Sequence, residues 1–213
     1  MVVAILKNFF KRMFSNMFKG KEDIKLGFYG PPNAGKTSLA NRICKDWTGE
    51  EIGSVSKIPH ETRNVQFKEK VEIEYKGKKM TLKMIDTPGI STRIDYEDFL
   101  KFKMDRKEAK KRAKEATQGV IESIKWLDDM DMVVVVLDST ENPYNQVNIT
   151  IIGNLVARKI PVLIVANKID MKKSDIKQIE AAFPEYEVVG ISAKYGENLE
   201  EFYESIFRLS KDL

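Results

Sequence analysis

The eight residues Gly30-Pro31-Pro32-Asn33-Ala34-Gly35-Lys36-Thr37 constrain this chain more tightly than any other stretch of it. They fit G-x-x-x-x-G-K-[ST], and they lie between an apolar run that reads as a strand, Lys25 to Gly30, and a segment that reads as a helix, about Gly35 to Asp46. The glycines let the backbone curl so that successive N–H groups face a polyphosphate, and the start of the helix adds positive potential at the same place. Lys36 reaches the outer phosphates, Thr37 can ligate an accompanying magnesium ion, and Ser38 follows on the helix. A nucleoside triphosphate is the implied ligand. The base is left open.

A second motif decides the base. Asn167-Lys168-Ile169-Asp170 directly follows the apolar run Pro161 to Ala166. The Asp170 carboxylate can accept from the ring N–H and the exocyclic amino group of guanine, a donor pair that adenine lacks. An acceptor left unpaired costs about 1–3 kcal/mol, so adenine is disfavoured. Lys168 can lay its aliphatic stem along the base, and Asn167 can tie this loop to the phosphate-binding turn.

Two shorter motifs complete the set. Asp86-Thr87-Pro88-Gly89 ends a strand, where Asp86 can hold magnesium through water and the Gly89 N–H can sense the terminal phosphate. Ser192-Ala193-Lys194 follows the last strand, where the Ala193 N–H can donate to the guanine carbonyl.

Around these motifs, short apolar runs alternate with helical stretches, the pattern of a mostly parallel sheet covered by helices on both faces. Val65 to Tyr75 and Met80 to Asp86 read as an antiparallel hairpin turning at Gly77; Met132 to Asp138, Pro161 to Ala166 and Glu187 to Ile191 read as further strands. Helices are expected over Asp105 to Asp128, Asn145 to Arg158, Ser174 to Phe183 and Glu197 to Leu209. The chain of 213 residues, 42% hydrophobic, can bury one sizeable core. Its lone cysteine, Cys44, excludes an internal disulfide and reads as a small buried residue in a reducing setting. No apolar run reaches the roughly 18 residues that span a bilayer, which points to a cytoplasmic protein. The charged first half of the Asp105 to Asp128 helix reads as a solvated face, with a nucleic-acid surface as the alternative.

The order and spacing of these motifs resemble the Ras-like P-loop GTPases, and within them the Era-like group, over Ile24 to Leu209. The resemblance implies an α/β fold: a P-loop NTPase three-layer sandwich with a six-stranded sheet, one strand antiparallel. It implies GTP hydrolysis with magnesium held by Thr37, Asp86 and a switch threonine, Thr62, in Pro59-His60-Glu61-Thr62-Arg63, with Lys36, Thr62 and Gly89 closest to the chemistry. It also implies a potassium ion at Asn33, where the alternative is that Asn33 only braces its own loop. His60 reads as an exposed loop residue.

The chain departs from the pattern at three places. Ile90 stands where many Ras-like enzymes carry the glutamine that positions water, so slow hydrolysis is expected. Ser91 to Lys110 reads as a long switch segment, and an RNA-binding domain of the kind found in Era is not expected after Leu209. Two competing roles remain open: a ribosome or RNA assembly GTPase, and a nucleotide-gated binding module that hardly hydrolyses. No DNA partner is expected, and the oligomeric state is left open.

Residues 1–20 form a unit apart from the GTPase domain of 21–213. At about 100° per residue, Val2, Val3, Ile5, Leu6, Phe9, Phe10, Met13, Phe14, Met17 and Phe18 read as one broad arc, and Lys7, Lys11, Arg12 and Lys19 read as the other side, with Asn8 and Ser15. Such a basic amphipathic helix suits an anionic membrane surface or a protein partner, with packing on its own domain as the alternative.

Overall fold

The structure, a computed structural model, describes residues 23–48, 66–75, 78–91, 94–102 and 104–209. The basic amphipathic segment 1–20, His60, Thr62 and the hairpin turn at Gly77 lie outside the described residues.

The elements run β1 (Asp23–Tyr29), α1 (Lys36–Thr48), β2 (Gln66–Tyr75), β3 (Lys78–Asp86), α2 (Tyr96–Leu100), α3 (Arg106–Trp126), β4 (Met132–Asp138), α4 (Gln146–Arg158), β5 (Val162–Asn167), α5 (Ile176–Ala182), β6 (Val188–Ile191) and α6 (Leu199–Leu209). They form one six-stranded sheet in the order β2-β3-β1-β4-β5-β6. Five strands are parallel, and the edge strand β2 pairs antiparallel with β3 through a register shift between Lys68 and Val71. This is the architecture expected from the sequence.

The central strands explain the layering. β4 (MVVVVLD) and β5 (VLIVAN) are buried along almost their whole lengths, as strands covered on both faces must be. The two-residue period divides them: Val134 and Val136 face a core closed by Leu39, Ile43 and Cys44 of α1 and Phe202 and Ile206 of α6. Val133, Val135 and Leu137 face the other core, closed by Ile151 and Leu155 of α4 and Ile179 of α5. Cys44 is fully buried and packs against the sulfur of Met84 at 3.6 Å, the quiet role its sequence suggests.

Helix ends follow side-chain caps. Asp105 accepts from the Glu108 N–H at 2.8 Å and starts α3; Asn145 and Asp175 accept from Asn148 and Gln178 to start α4 and α5. The long helix therefore begins one residue later than periodicity predicts, and its C-terminal end tightens into a 3-10 turn over Leu127–Asp129. The long switch segment contains a feature that the sequence did not announce. Its short helix α2 lays Phe99 against Ala109 and Ala116 of α3, a third small core separate from the sheet.

Candidate nucleotide-binding site

All four sequence motifs come together at the C-terminal edge of the parallel strands, where open α/β sheets bind ligands. The turn after β1 is bent by two glycines that no other residue could replace. Gly30 has φ 149°, and a Cβ there would stand 2.1 Å from the Val136 carbonyl oxygen; Gly35 has φ 98°, and its Cβ would stand 2.1 Å from Asn167 Nδ2. Asn33 adopts the left-handed region with φ 61°. Lys36, only 6% exposed, folds back along the turn, and its ammonium donates to Gly30 O at 3.2 Å and Pro31 O at 2.9 Å. Burial lowers its pKa to about 8, against a smaller opposing effect of the Asp86 charge.

Asp86 ends β3 beside this turn. Thr37 Oγ1 donates to Asp86 Oδ2 at 2.6 Å, while Asp86 Oδ1 is buried without a hydrogen-bond partner among the described residues. Burial pushes this carboxyl up, partly offset by the Thr37 hydrogen bond and the Lys36 charge. Gly89 is pressed on the phosphate-binding turn, since a Cβ on it would stand 2.7 Å from Pro32 Cα. The next residue, Ile90, donates its N–H to Gly30 O at 3.1 Å and buries its side chain in the core beside Tyr29 and Ile85. A buried aliphatic side chain offers no hydrogen bond with which to orient a water.

The guanine motif is wired into the phosphate-binding turn by one side chain. Asn167 donates from Nδ2 to Ala34 O at 2.8 Å and accepts on Oδ1 from the Ala193 N–H at 3.0 Å. The Ala193 N–H, expected from the sequence to meet the guanine carbonyl, is thus occupied in bracing three loops together. Lys168 takes a left-handed backbone, φ 71°, and its ammonium pairs with Asp138 at the end of β4. Burial would raise the Asp138 carboxyl, but hydrogen bonds from Lys168 and Thr140 outweigh it and hold the group below the ordinary carboxylate value. Arg42 of α1 donates to Ala193 O at 3.4 Å and Lys194 O at 3.0 Å, and Ser192 Oγ accepts from the Tyr195 N–H.

With this geometry in place, similarity to known proteins is informative: residues 25–168 match the family described as 50S ribosome-binding GTPase. The chain belongs to that family. It is a P-loop GTPase domain of Era-like type. It is 31% identical over 161 residues to GTPase Der of Aquifex aeolicus, covering 75% of this chain and 31% of that protein. GTPase Era of Borreliella afzelii is 28% identical over 194 residues, 86% of this chain and 57% of the relative. Among solved structures, Aquifex aeolicus Era bound to GDP and AlF4− superposes with a TM-score of 0.67 at 23% identity, covering 89% of this chain and 57% of that one. Era in complex with MgGDPNP and nucleotides 1506–1542 of 16S ribosomal RNA has the same TM-score. The chain thus spans between about a third and just over half the length of these relatives.

Several residues that brace the candidate site were not legible as such. Asp138 ends β4 and Thr140 follows it at the ligand-binding edge, and that position was the available signal. Tyr29 and Ser123 carried no signal. Tyr29 is buried beneath the turn and donates from its hydroxyl to Ser123 O of α3 at 3.0 Å, while Ser123 Oγ donates toward Gly119 O at 2.8 Å and Pro88 O at 3.3 Å. Burial pushes the Tyr29 phenol up, so it stays a donor.

Proposed function

We propose that this GTPase binds GTP, hydrolyses its terminal phosphate by direct attack of water, and uses the change of state as a switch on an RNA-containing assembly. The Asn167 bridge carries the proposal, because it fixes a phosphate-binding turn and a guanine-reading loop in one rigid arrangement. Lys36 and the inward N–H groups of the turn bind the phosphates, Gly89 senses the terminal one, and Asp170 reads the base. Ser38 and Lys194 complete the nucleotide's surroundings.

The residues fit a magnesium ion. Thr37 and Asp86 present adjacent oxygens, and the unpartnered Asp86 Oδ1 is a buried acceptor in want of a cation or its water. Among the described residues no cluster of three or more His, Cys, Asp or Glu could hold a metal, so this pair is the candidate, with Thr62 as a further ligand. When bound, the ion offsets charge on the phosphates. We place a potassium ion at Asn33, whose exposed side chain makes no hydrogen bond among the described residues to brace its loop. A cation there would supply the stabilisation that the buried Ile90 cannot.

The ribosomal reading draws support from the matched family's description and from the rRNA complex of Era. No helix among the described residues is long and apolar enough to cross a membrane, and we assign residues 1–20 to peripheral docking on an anionic surface or a partner. GTP turnover, followed by phosphate release, and co-sedimentation with ribosomal subunits in a non-hydrolysable GTP analogue test the reading together. Turnover without co-sedimentation would leave a GTPase and remove the ribosome; neither would remove both.

A further inference from the structure

The outward face of α3 is an arc of cations. At about 100° per residue, Arg106, Lys107, Lys110, Lys111, Lys114 and Lys125 fall within less than half the helix circumference, together with Thr117, Gln118 and Ile121. Every one of these residues is exposed, and no acid lies among them. Glu108, Glu115 and Glu122 keep to one border, where the Lys111–Glu115 pair is loose at 3.9 Å. The opposite face, Ala109, Ala116 and Ser123, is buried.

This face is built as well as charged. Arg106 and Lys110 sit 5.9 and 5.5 Å from the ring centre of Tyr96 on α2, and Arg106 donates to the Tyr96 hydroxyl at 3.3 Å. The third core, with Phe99 against Ala109 and Ala116, fastens α2 to α3 beneath them. Lys107 and Lys111, and Lys110 and Lys114, are each one turn apart, giving two parallel rows of point charges along a helix that spans about 28 Å from Arg106 to Lys125.

We infer that this arc is a docking surface for the phosphate backbone of structured RNA. The inference rests on the ribosomal reading above and names the surface that would serve it. Rows of lysine heads on a rigid rod suit a polyanion recognised by charge and shape. A membrane interface would require bulky apolar groups between the cations, and a protein partner would require apolar anchors at the centre. On α3 itself only Ile121 answers to either description; the exposed Leu100 and Phe102 belong to the end of α2, off the row of cations.

The test measures retention of in vitro transcribed small-subunit ribosomal RNA by the full chain across a salt series, beside K107Q/K110Q/K111Q/K114Q. The wild type should bind with an affinity that falls steeply with salt. The variant should bind more than tenfold more weakly, with a log–log slope shallower by about three to four. GDP affinity and thermal midpoint should not change, because these exposed side chains take no part in nucleotide binding. If the quadruple variant loses GDP binding, K107Q/K111Q and K110Q/K114Q are measured in its place, each expected to flatten the slope by about two. Equal affinity and slope in wild type and variant would overturn the surface while leaving the ribosomal reading intact. Binding to phosphatidylglycerol-containing vesicles but not to RNA would overturn it in favour of a membrane. Absence of both RNA and ribosome binding, with GTP turnover preserved, would remove the reading and the surface together.

Discussion

Replacing Asn167 by Ala removes a side chain that joins the phosphate-binding turn to both guanine loops. The Ala34 carbonyl and the Ala193 N–H, on residues 0% and 4% exposed, would each lose the partner they have at 2.8 and 3.0 Å. An unsatisfied buried polar group costs about 1–3 kcal/mol, and some water will enter the vacated space, so a loss of about 2–4 kcal/mol is expected. For a chain of this size that lowers the thermal midpoint by roughly 4–16 °C. GDP affinity should fall at least tenfold as the loops move independently. Gly35→Ala attacks the same bridge from the other side: its Cβ would stand 2.1 Å from Asn167 Nδ2, on a backbone with φ 98°. In the Asn167→Ala background the clash disappears and only the backbone strain of about 1–3 kcal/mol remains. Chemical denaturation of the two single variants and the double variant should therefore give a coupling of about 1–3 kcal/mol, with the double variant less damaged than the sum. Additivity to within about 0.5 kcal/mol would show that the bridge does not join these positions.

Other consequences are quickly measured. Lys36 titrates at about 8 when its site holds no phosphate, and an anionic ligand favours its charged form, so nucleotide binding should take up a proton near that pH. Between pH 7 and 8.5 the GDP affinity should fall about fourfold, and calorimetry in buffers of different ionisation enthalpy should reveal the proton; a flat profile would contradict the burial argument. The free protein has the opposite sign, because the unfolded lysine binds more protons between about pH 8 and 10.5, and Lys36 then contributes rising stability as pH increases through that window. Asp170→Asn, which keeps one acceptor oxygen and adds a donor, should relax discrimination against ATP in a competition assay, and undiminished discrimination would place base selection elsewhere. Hydrolysis should run faster in potassium than in sodium, and Asn33→Ala should erase that difference with little change in GDP affinity; equal rates in the two salts would dispose of the ion.

The sheet and the main site were legible because their signals are local. Alternating apolar runs mark the strands, and the phosphate and guanine motifs each depend on a few adjacent residues whose chemistry is read directly. What escaped was long-range. Phe99 looks like any aromatic in a charged loop until α2 closes on Ala109 and Ala116. The occupied Ala193 N–H depends on a side chain 26 residues away, and the sequence shows at Ile90 a missing glutamine but not its burial in the core that holds Tyr29 and Ile85. Tyr29 reads as one more apolar residue near the end of a strand, and nothing in the sequence says that its hydroxyl reaches a helix residue 94 positions on.

That hydroxyl gives the switch a mechanical path. Tyr29 immediately precedes the phosphate-binding turn, Pro88 immediately precedes Gly89, and both meet at Ser123 on the inner face of α3. If Gly89 responds to a terminal phosphate, Pro88 would move with it, and α3 is tied to the turn by the Tyr29 hydrogen bond, worth about 0.5–1.5 kcal/mol, and to Pro88 by the longer branch, 3.3 Å, of the proton that Ser123 shares with Gly119 O at 2.8 Å. Trp126 lies one turn beyond Ser123, packed against the core that holds Ile151 and Leu155, and so reports the position of this helix end. In a background with Trp47→Phe, exchange of GDP for a non-hydrolysable GTP analogue should change Trp126 fluorescence. Tyr29→Phe with Ser123→Ala removes both hydroxyls, should lower stability by about 1–3 kcal/mol, and should leave nucleotide affinity nearly unchanged, because neither side chain reaches the site. The fluorescence step should shrink to a fraction of its original size as the helix is freed from the loop. A step of full amplitude in the double variant would mean that the signal reaches α3 by another route, and that the tie beneath the turn serves only to hold the fold.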